Sequence, residues 1–297
     1  MRNKISGVLA AIATPFTSSG ELDIDKFIEH GEWLLGEGCD GLNVLGTTGE
    51  ANSQSSRSRA FLMRSAAEST LRRGALMVGT GTPSVDETID LTRLAAELEF
   101  DAALVLPPYY YKAVSDDGLF NYFEAVIRAI ATDDIGIYLY NFPQMTGLTF
   151  SRELVERLLE VFPEHLRGMK DSSGDLQYTN SMAAAFGDAF DVFPGSEGPL
   201  PDAAEYGYAG CISASVNATV GLAAKIWRQR DSATAEDITE LRELRDDIAS
   251  VPMVAAVKTL IAMRTGNDEW RRVLPPLTEL SGEDLRQIDS IAERLGL

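Results

Sequence analysis

Histidine and cysteine are scarce in this sequence of 297 residues, which has only two of each. Zinc sites need three or four protein ligands, so two histidines placed far apart argue against a catalytic metal. We expect His30 on the surface of the first helix and His165 before the sixth strand, on the side away from any site. Cys39 and Cys211 lack paired spacing, and we interpret both as small buried side chains in a reducing compartment. No motif for an organic cofactor is present either, so we predict neither metal nor cofactor.

Positive charge and long apolar stretches are also in short supply. The 26 lysines and arginines face 45 acidic residues, giving a net charge of −19. Binding to nucleic acid or to an anionic membrane surface needs clustered basic residues, so both kinds of partner are excluded. No stretch approaches the roughly 20 apolar residues of a spanning helix. The apolar run at 7–13 is better interpreted as a strand than as a leader, and we predict a cytoplasmic protein.

Short apolar runs alternate with longer amphipathic segments along the chain. The runs are continuous, as expected for parallel strands that are covered on both faces. They lie at residues 7–13, 41–45, 75–79, 102–106, 135–140, 166–170, 190–195 and 209–213. Between them, residues 22–38 show helical spacing, and Ser84 with Glu87 forms a capping-box pattern. Eight strand–helix units predict an α/β protein with the (β/α)8 architecture of a TIM barrel.

The segment after the eighth unit contains only helical patterns, at residues 232–250, 251–265 and 281–297. We predict a barrel over 1–230 and a C-terminal helical extension over 231–297. No Pro- or Gly-rich linker separates the two, so both are assigned to one domain.

Candidate site residues follow from where such barrels work, at the carboxyl ends of the strands. The stretch RGMKDSSGD (167–175) puts Lys170 at the end of the sixth run, where burying an ammonium group needs a reason. Other strand ends carry Gly46-Thr47-Thr48-Gly49-Glu50, Tyr140 and Glu197. Lys170 is therefore expected to face a ring of hydroxyl groups, glycines and a carboxylate.

These residue types allow one kind of covalent chemistry. An amine in a partly dry pocket loses its proton more easily, and a neutral lysine can form a Schiff base with a ketone. The resulting iminium is an electron sink, so the reaction also needs a proton carrier. Tyr140 and Tyr110 would stand on neighbouring strand ends, with Thr47 or Thr48 linking them. The Gly46–Gly49 turn also offers backbone N–H groups to a carboxylate.

Simpler roles exist for the same residues. Lys170 could extend to solvent, Tyr140 could be a packed core residue, and the two threonines could serve only the turn. Tyr110 could lie in a subunit interface, which is compatible with a role in the site. Glu197 could be a solvated loop acid or a ligand for sugar hydroxyls. The arrangement of all of them at strand ends favours a site.

Five motifs stand at strand ends in one order: ATPF (13–16), GTTGE (46–50), PPYY (107–110), YNFP (140–143) and GMKD (168–171). Through them the sequence resembles the dihydrodipicolinate synthase / N-acetylneuraminate lyase family of class I, pyruvate-dependent aldolases. The resemblance covers nearly the whole chain. It implies a (β/α)8 barrel with a C-terminal helical extension, usually assembled as a homotetramer that is a dimer of dimers.

The resemblance also implies a role for each matched residue. Lys170 falls on the Schiff-base lysine and Tyr140 on the tyrosine that moves protons there. Thr47 and Thr48, following Gly46, fall on the pair that holds the pyruvate carboxylate and supports the tyrosine. Tyr110 falls on the tyrosine that, in the synthases, reaches into the site of the neighbouring subunit. Ile212 falls on a residue whose backbone lines the pyruvate pocket.

Met145 departs from the synthase pattern. The synthases carry an arginine there that holds the second substrate's carboxylate, and a thioether cannot replace a guanidinium. We therefore predict a class I aldolase or lyase acting on pyruvate or a 2-keto-3-deoxy acid, with an aldehyde as the other partner, rather than the lysine-pathway enzyme. Met145 and Glu197 are predicted to shape the second-substrate pocket. Open alternatives are a dehydratase or deaminase using the same lysine, 4-hydroxy-tetrahydrodipicolinate synthase, and a non-catalytic relative that binds keto acids.

Overall fold

The computed structural model describes residues 5–131, 134–229 and 232–297. The strands within these ranges are Gly7–Ala11 (β1), Gly41–Val44 (β2), Ala75–Gly79 (β3), Ala102–Val105 (β4), Gly136–Asn141 (β5), Leu166–Asp171 (β6), Asp191–Pro194 (β7) and Gly210–Ser213 (β8). The α-helices are Ile24–Gly36 (α1), Ser56–Ala67 (α2), Val85–Glu97 (α3), Asp116–Ala129 (α4), Pro143–Thr146 (α5), Arg152–Val161 (α6), Leu176–Phe186 (α7), Ala203–Tyr206 (α8), Val216–Arg228 (α9), Ala235–Ala249 (α10), Met253–Thr265 (α11) and Gly282–Leu295 (α12).

The eight strands form one parallel sheet in the order β7-β6-β5-β4-β3-β2-β1-β8. Its two edge strands come together, because the backbone N–H of Ala209, next to β8, donates to the carbonyl of Val192 in β7 at 3.0 Å. The sheet is therefore a nearly closed barrel with helices around it. This confirms the predicted (β/α)8 fold, and each strand lies where an apolar run predicted it.

Side-chain caps help to start many of the helices that surround the barrel. Asp23, Ser55, Ser115 and Ser151 each accept a hydrogen bond from a backbone N–H in the first turn of the helix that follows. Ser84 does the same for α3, accepting from the N–H of Glu87, as its sequence pattern predicts. Such caps satisfy N–H groups that have no partner within the helix.

Two layers of apolar packing hold the barrel together. The outer layer lies between the strands and the surrounding helices and includes Val8, Leu42 and Val192. The inner layer fills the barrel with side chains that alternate with these along the strands, among them Leu9, Met77, Leu104, Tyr138, Tyr140, Phe193 and Ile212. Tyr140 and Ile212 thus belong to the packed barrel interior at the carboxyl ends of their strands.

Helices α10, α11 and α12 form the predicted C-terminal extension. Helix α11 is its centre, since every residue from Ala255 to Ala262 is buried. These helices share a second apolar cluster with Ala13, which follows β1, so the extension packs against the barrel. The predicted boundary between residues 230 and 231 lies outside the described residues.

The predicted surface position of His30 is wrong, because its side chain is buried beneath the C-terminal extension. Its Nε2 lies 2.9 Å from Oδ1 of Asn217, and its Nδ1 accepts from Arg264 of α11 at 3.1 Å. Its ring packs against Trp33 and Trp270. The apolar face of α1 read from the sequence points at the barrel, and nothing in its spacing shows that a later helix covers another side.

Both cysteines are buried, as predicted. Burial raises the pKa of the Cys39 thiol to about 12, and burial likewise raises the pKa of Cys211. Among the described helices, none alone has the length and apolar character to cross a bilayer; α10 and α11 reach it only as a pair bent by 114°.

Candidate active site

Lys170 and Tyr140 lie side by side at the carboxyl ends of β6 and β5. The two residues are register partners in the parallel ladder, and each is 4% exposed. The Lys170 Nζ sits 4.6 Å from the centroid of the Tyr140 ring, within the range of a cation–π contact. The strand register alone therefore brings an amine and a phenol together in a dry environment.

Thr47 links the tyrosine to the turn that follows β2. Its Oγ1 lies 3.3 Å from the Tyr140 hydroxyl, and either atom could donate the hydrogen bond. Lys170, Tyr140 and Thr47 thus form a connected set contributed by three different strand ends. The sequence predicts this set, and the structure brings all three residues together.

The Gly46–Glu50 turn presents unused hydrogen-bond donors. The turn is closed by backbone bonds from Glu50 to Thr47 and from Ala51 to Gly46. Within the described part of the chain, the backbone N–H groups of Thr47 and Thr48 have no acceptor. Free N–H groups in a tight turn are suited to binding an anion such as a carboxylate.

Gly49 allows this turn to sit close to the end of β1. A Cβ atom added there would lie 3.1 Å from Oγ1 of Thr14 and 3.2 Å from the carbonyl of Ile12. Any other residue at position 49 would require the turn or the residues after β1 to shift by a few tenths of an ångström.

Apolar and aromatic side chains surround the amine. The Phe142 ring stacks on Tyr140 with centroids 5.7 Å apart, and Phe193 of β7 is the register partner of Lys170 on its other side. Ile212 of β8 is fully buried in the same interior cluster. A lysine held among such groups is shielded from bulk water.

Asp171 holds the backbone just after the lysine. Its buried carboxylate accepts hydrogen bonds from Nδ2 of Asn141 at 2.8 Å, from the hydroxyl of Thr179 at 2.6 Å, and from both the N–H and the hydroxyl of Ser173. These bonds tie β5, β6 and α7 together. Asp171 therefore fixes the strand ends that carry Tyr140 and Lys170.

The structure places Glu197 inside the protein, where its hydrogen bonds disfavour the predicted contact with substrate. Its side chain is fully buried, and its oxygens accept hydrogen bonds from the hydroxyls of Ser213, Ser215 and Thr219 at 2.6–2.8 Å. The Nε of Arg245 lies 3.8 Å away. The alternative of a solvated loop acid is wrong for the same reason. Glu197 holds the loop after β7 against β8 and α9.

Tyr110 and Met145 stay apart from the lysine within one chain. Tyr110 is 74% exposed, and its ring meets the edge of Tyr111 instead of Tyr140. Met145 lies on the short helix α5 and is 60% exposed. Their roles stay predictions, and both side chains are available to groups from outside this chain.

A buried ion pair beside the site was missed by the sequence reasoning. Glu50, the last residue of the GTTGE motif, pairs with Lys258 of α11 at 2.6 Å, and neither side chain is exposed. The signal was present, because Lys258 is the only charged residue in the stretch 251–263. In the described ranges, no three His, Cys, Asp or Glu side chains are grouped so as to hold a metal ion.

Comparison with known proteins agrees with this geometry. The sequence profile of the dihydrodipicolinate synthetase family matches residues 4–295. An uncharacterized DapA-like lyase of Chloroflexus aurantiacus is 32% identical, and the alignment covers 97% of this chain and 96% of that protein.

Two solved structures are similar to this chain over almost their full lengths. Dihydrodipicolinate synthase from Agrobacterium tumefaciens is 34% identical with a TM-score of 0.85, and the match covers 98% of this chain and 99% of the other. YagE, a prophage protein of the dihydrodipicolinic acid synthase family from E. coli K12 solved in complex with pyruvate, is 28% identical with a TM-score of 0.89, covering 99% of both chains. The chain is therefore an enzyme of the lyase class and belongs to the dihydrodipicolinate synthetase family.

Proposed function

We propose that this enzyme forms a Schiff base between Lys170 and a 2-keto acid and cleaves a 2-keto-3-deoxy acid to pyruvate and an aldehyde. One observation carries the proposal: the buried Lys170 amine lies over Tyr140, whose hydroxyl meets Thr47 at 3.3 Å. A lysine in this setting has a proton carrier beside it and little water around it. The pyruvate found with the E. coli relative supports the choice of keto acid.

The reaction follows from these groups. The Lys170 amine adds to the keto carbon, and loss of water gives an iminium. The bond between C3 and C4 then breaks, its electron pair enters the iminium to form an enamine, and the C4 hydroxyl gives up its proton as the aldehyde leaves. Tyr140 accepts that proton through its hydrogen bond to Thr47 and returns a proton to C3. Hydrolysis of the new iminium releases pyruvate and regenerates the lysine.

The substrate carboxylate binds at the turn after β2. The unpaired N–H groups of Thr47 and Thr48, together with their hydroxyls, supply donors to it, and Gly46 leaves room for the approach. The Ile212 backbone lines the other side of the pocket.

A second enzymatic candidate uses the same lysine to remove water or ammonia from a keto acid or a pyrroline carboxylate. Met145 lacks the charge needed to hold a second carboxylate, which favours either reaction over 4-hydroxy-tetrahydrodipicolinate synthase. The name of the Agrobacterium tumefaciens relative keeps the synthase as an alternative. Product analysis separates them: pyruvate plus an aldehyde, against loss of water or ammonia. Keto-acid binding without turnover of any candidate would favour a non-catalytic relative.

The assembly proposed with this function is a cytoplasmic homotetramer built as a dimer of dimers. The exposed rings of Tyr110 and Tyr111 support it, because aromatic side chains of this kind are enriched in subunit interfaces. Tyr110 of one chain would then complete the Tyr140–Thr47 relay of its neighbour.

Hydrogen exchange into pyruvate tests the function without knowledge of the aldehyde. In D2O the enzyme is expected to replace the methyl protons of pyruvate with deuterium, as followed by proton NMR, because the enamine is protonated from solvent at C3. Lys170→Ala should abolish the exchange, and Tyr140→Phe should slow it by roughly 100-fold, the usual contribution of a proton-transfer group. Exchange at the wild-type rate in Lys170→Ala would refute the proposal.

A further inference from the structure

Glu50 occupies an unusual position at the end of the turn that carries the two threonines. Its backbone has a φ of 55°, in the left-handed region that residues other than glycine rarely adopt. Its carboxylate is buried, and Oε1 accepts a hydrogen bond from the Lys258 ammonium at 2.6 Å. Both side chains have an exposed fraction of 0%. The end of the turn is thus held by a buried ion pair with α11.

The contacts of this pair connect three parts of the chain. The other carboxylate oxygen of Glu50 accepts from the backbone N–H of Leu274 at 2.6 Å. The Lys258 Nζ also lies 4.5 Å from the ring centroid of Phe16, the last residue of the ATPF motif. The turn after β2, the loop after β1 and the C-terminal extension therefore meet at one buried charge pair.

Stability alone does not account for this arrangement. Taking two charges out of water is costly, and well-packed apolar residues in the same space are often as stable or more so. What a buried pair does supply is a fixed geometry, because each charge needs its partner at hydrogen-bond distance. Here the fixed element is the turn that carries the unpaired N–H groups of Thr47 and Thr48 and the hydroxyl that meets Tyr140.

We propose that Lys258 and Glu50 are positioning residues that hold the Thr47–Thr48 N–H groups in place for the keto-acid carboxylate, so that the C-terminal extension acts in substrate binding. This inference rests on the proposed function, because its effect on substrate binding is measured as formation of the pyruvate adduct on Lys170. Glu50 and Lys258 touch neither the substrate nor Lys170; they act through the turn.

Loss of one partner is expected to disturb the turn. Burial raises the pKa of Glu50 and lowers the pKa of Lys258, and the contact between them opposes both effects. In Lys258→Met the carboxylate is left in an apolar environment with a single N–H donor. It must then take up a proton or move toward water, and either change releases the turn.

The test compares Lys258→Met with Leu260→Ala. Leu260 is buried on the same helix, so its truncation destabilises the extension by leaving a cavity while the ion pair stays intact. The first readout is amide hydrogen exchange of residues 46–50, measured by mass spectrometry on the full-length protein. The second is the pyruvate concentration that gives half-maximal trapping of Lys170 by borohydride.

Lys258→Met is expected to speed amide exchange in residues 46–50. It should also raise the half-maximal pyruvate concentration by roughly tenfold, which corresponds to the loss of about one charge-assisted hydrogen bond. Trapping at saturating pyruvate should still reach completion. Leu260→Ala should lower the melting temperature without either change. Equal behaviour of the two variants in both readouts would overturn the inference.

The double variant Glu50→Gln with Lys258→Met covers the case in which the single variant folds poorly. Removing both charges should return the melting temperature toward that of the wild type, while the half-maximal pyruvate concentration stays raised. If both recover together, the pair has only a structural role and the inference is wrong. If the wild type forms no pyruvate adduct, the proposed function fails, and exchange in residues 46–50 still decides whether the pair positions the turn.

Discussion

Single residues in this enzyme derive their chemistry from the two or three side chains around them. Lys170 is one of six lysines in the chain, and its special property is the Tyr140 ring 4.6 Å from its Nζ. His30 is the opposite case, since its surroundings disfavour the protonated form of its side chain. It is buried between an amide, a guanidinium and two indole rings, and this burial holds it neutral inside the protein.

His30 is expected to make the folded state sensitive to acid. Burial lowers its pKa from 6.5 to about 3, with the hydrogen bond to Asn217 opposing the shift and the Arg264 charge adding to it. Between these two values the unfolded chain binds the proton and the folded chain does not. The free energy of unfolding should therefore be fully retained above pH 6.5 and fall by up to about 1.4 kcal/mol per unit as the pH drops below it.

Urea denaturation between pH 7 and pH 4.5 measures this contribution. His30→Gln should flatten the slope relative to the wild type, although it will be less stable at pH 7. Leu260→Ala, which truncates a buried and non-titratable side chain of α11, is the control: it should be less stable than the wild type but keep the wild-type slope. An unchanged slope in His30→Gln would show that other groups cause the acid sensitivity.

At the scale of elements, the hydrogen bonds of Asp171 join β5, β6 and α7 at the position of the lysine. Asp171→Ala would leave the buried amide of Asn141 and two donors of Ser173 without their acceptor, and the hydroxyl of Thr179 would keep only the carbonyl of Asp175 at 3.0 Å. Unsatisfied buried donors cost about 1–3 kcal/mol each, so a loss of at least about 3 kcal/mol in the free energy of unfolding is expected.

Chemical denaturation with urea checks this value. The matched control is Asp117→Ala, which removes a surface carboxylate paired with Arg157 and 80% exposed. Surface pairs of this kind contribute roughly 0–1 kcal/mol. A similar loss in the two variants would mean that Asp171 does not organise the strand ends.

The elements themselves were largely predictable, and the contacts between them were not. Continuous apolar runs mark buried parallel strands, so β1 to β8 and the helices between them follow from the sequence. Lys170, Tyr140 and Thr47 could be brought together in advance because parallel strand ends meet at one face. Glu197 was misjudged because its three hydroxyl partners come from β8 and α9, and sequence spacing does not show that they close over it.

The barrel and the extension together leave aromatic side chains exposed on the surface of the molecule. Tyr110 and Tyr111 are more than two-thirds exposed beside the barrel mouth. We predict that the wild-type enzyme sediments as a homotetramer in analytical ultracentrifugation. Replacing both tyrosines with alanine should shift it to smaller species, because the rings would be buried between subunits.

The same double variant has a second expected effect. Borohydride trapping on Lys170 should persist, while deuterium exchange into pyruvate slows, because the relay loses the tyrosine of the neighbouring chain. Tyr206→Ala, at a partly exposed tyrosine of α8, serves as the control and should sediment like the wild type. A wild-type enzyme that sediments as a monomer would contradict the assembly.

The role of the extension was the part of the molecule least accessible from sequence. Its three helices were predictable from their patterns, but their partners were not. Helix α11 places Arg264 against His30 and buries Lys258 against Glu50, and both contacts span more than 200 residues of sequence. Periodicity describes one helix at a time, so it cannot show which distant helix covers it.

Reduction of the enzyme with borohydride in the presence of pyruvate, read by intact mass and peptide mapping, tests the Schiff base at Lys170 directly. We expect one reduced pyruvyl group per chain, located on Lys170, and none in Lys170→Ala. Lys258, which is buried in its ion pair, serves as an internal control and should stay unmodified. A folded wild-type enzyme that gains no adduct, or gains it on another lysine, would contradict the Schiff base at Lys170.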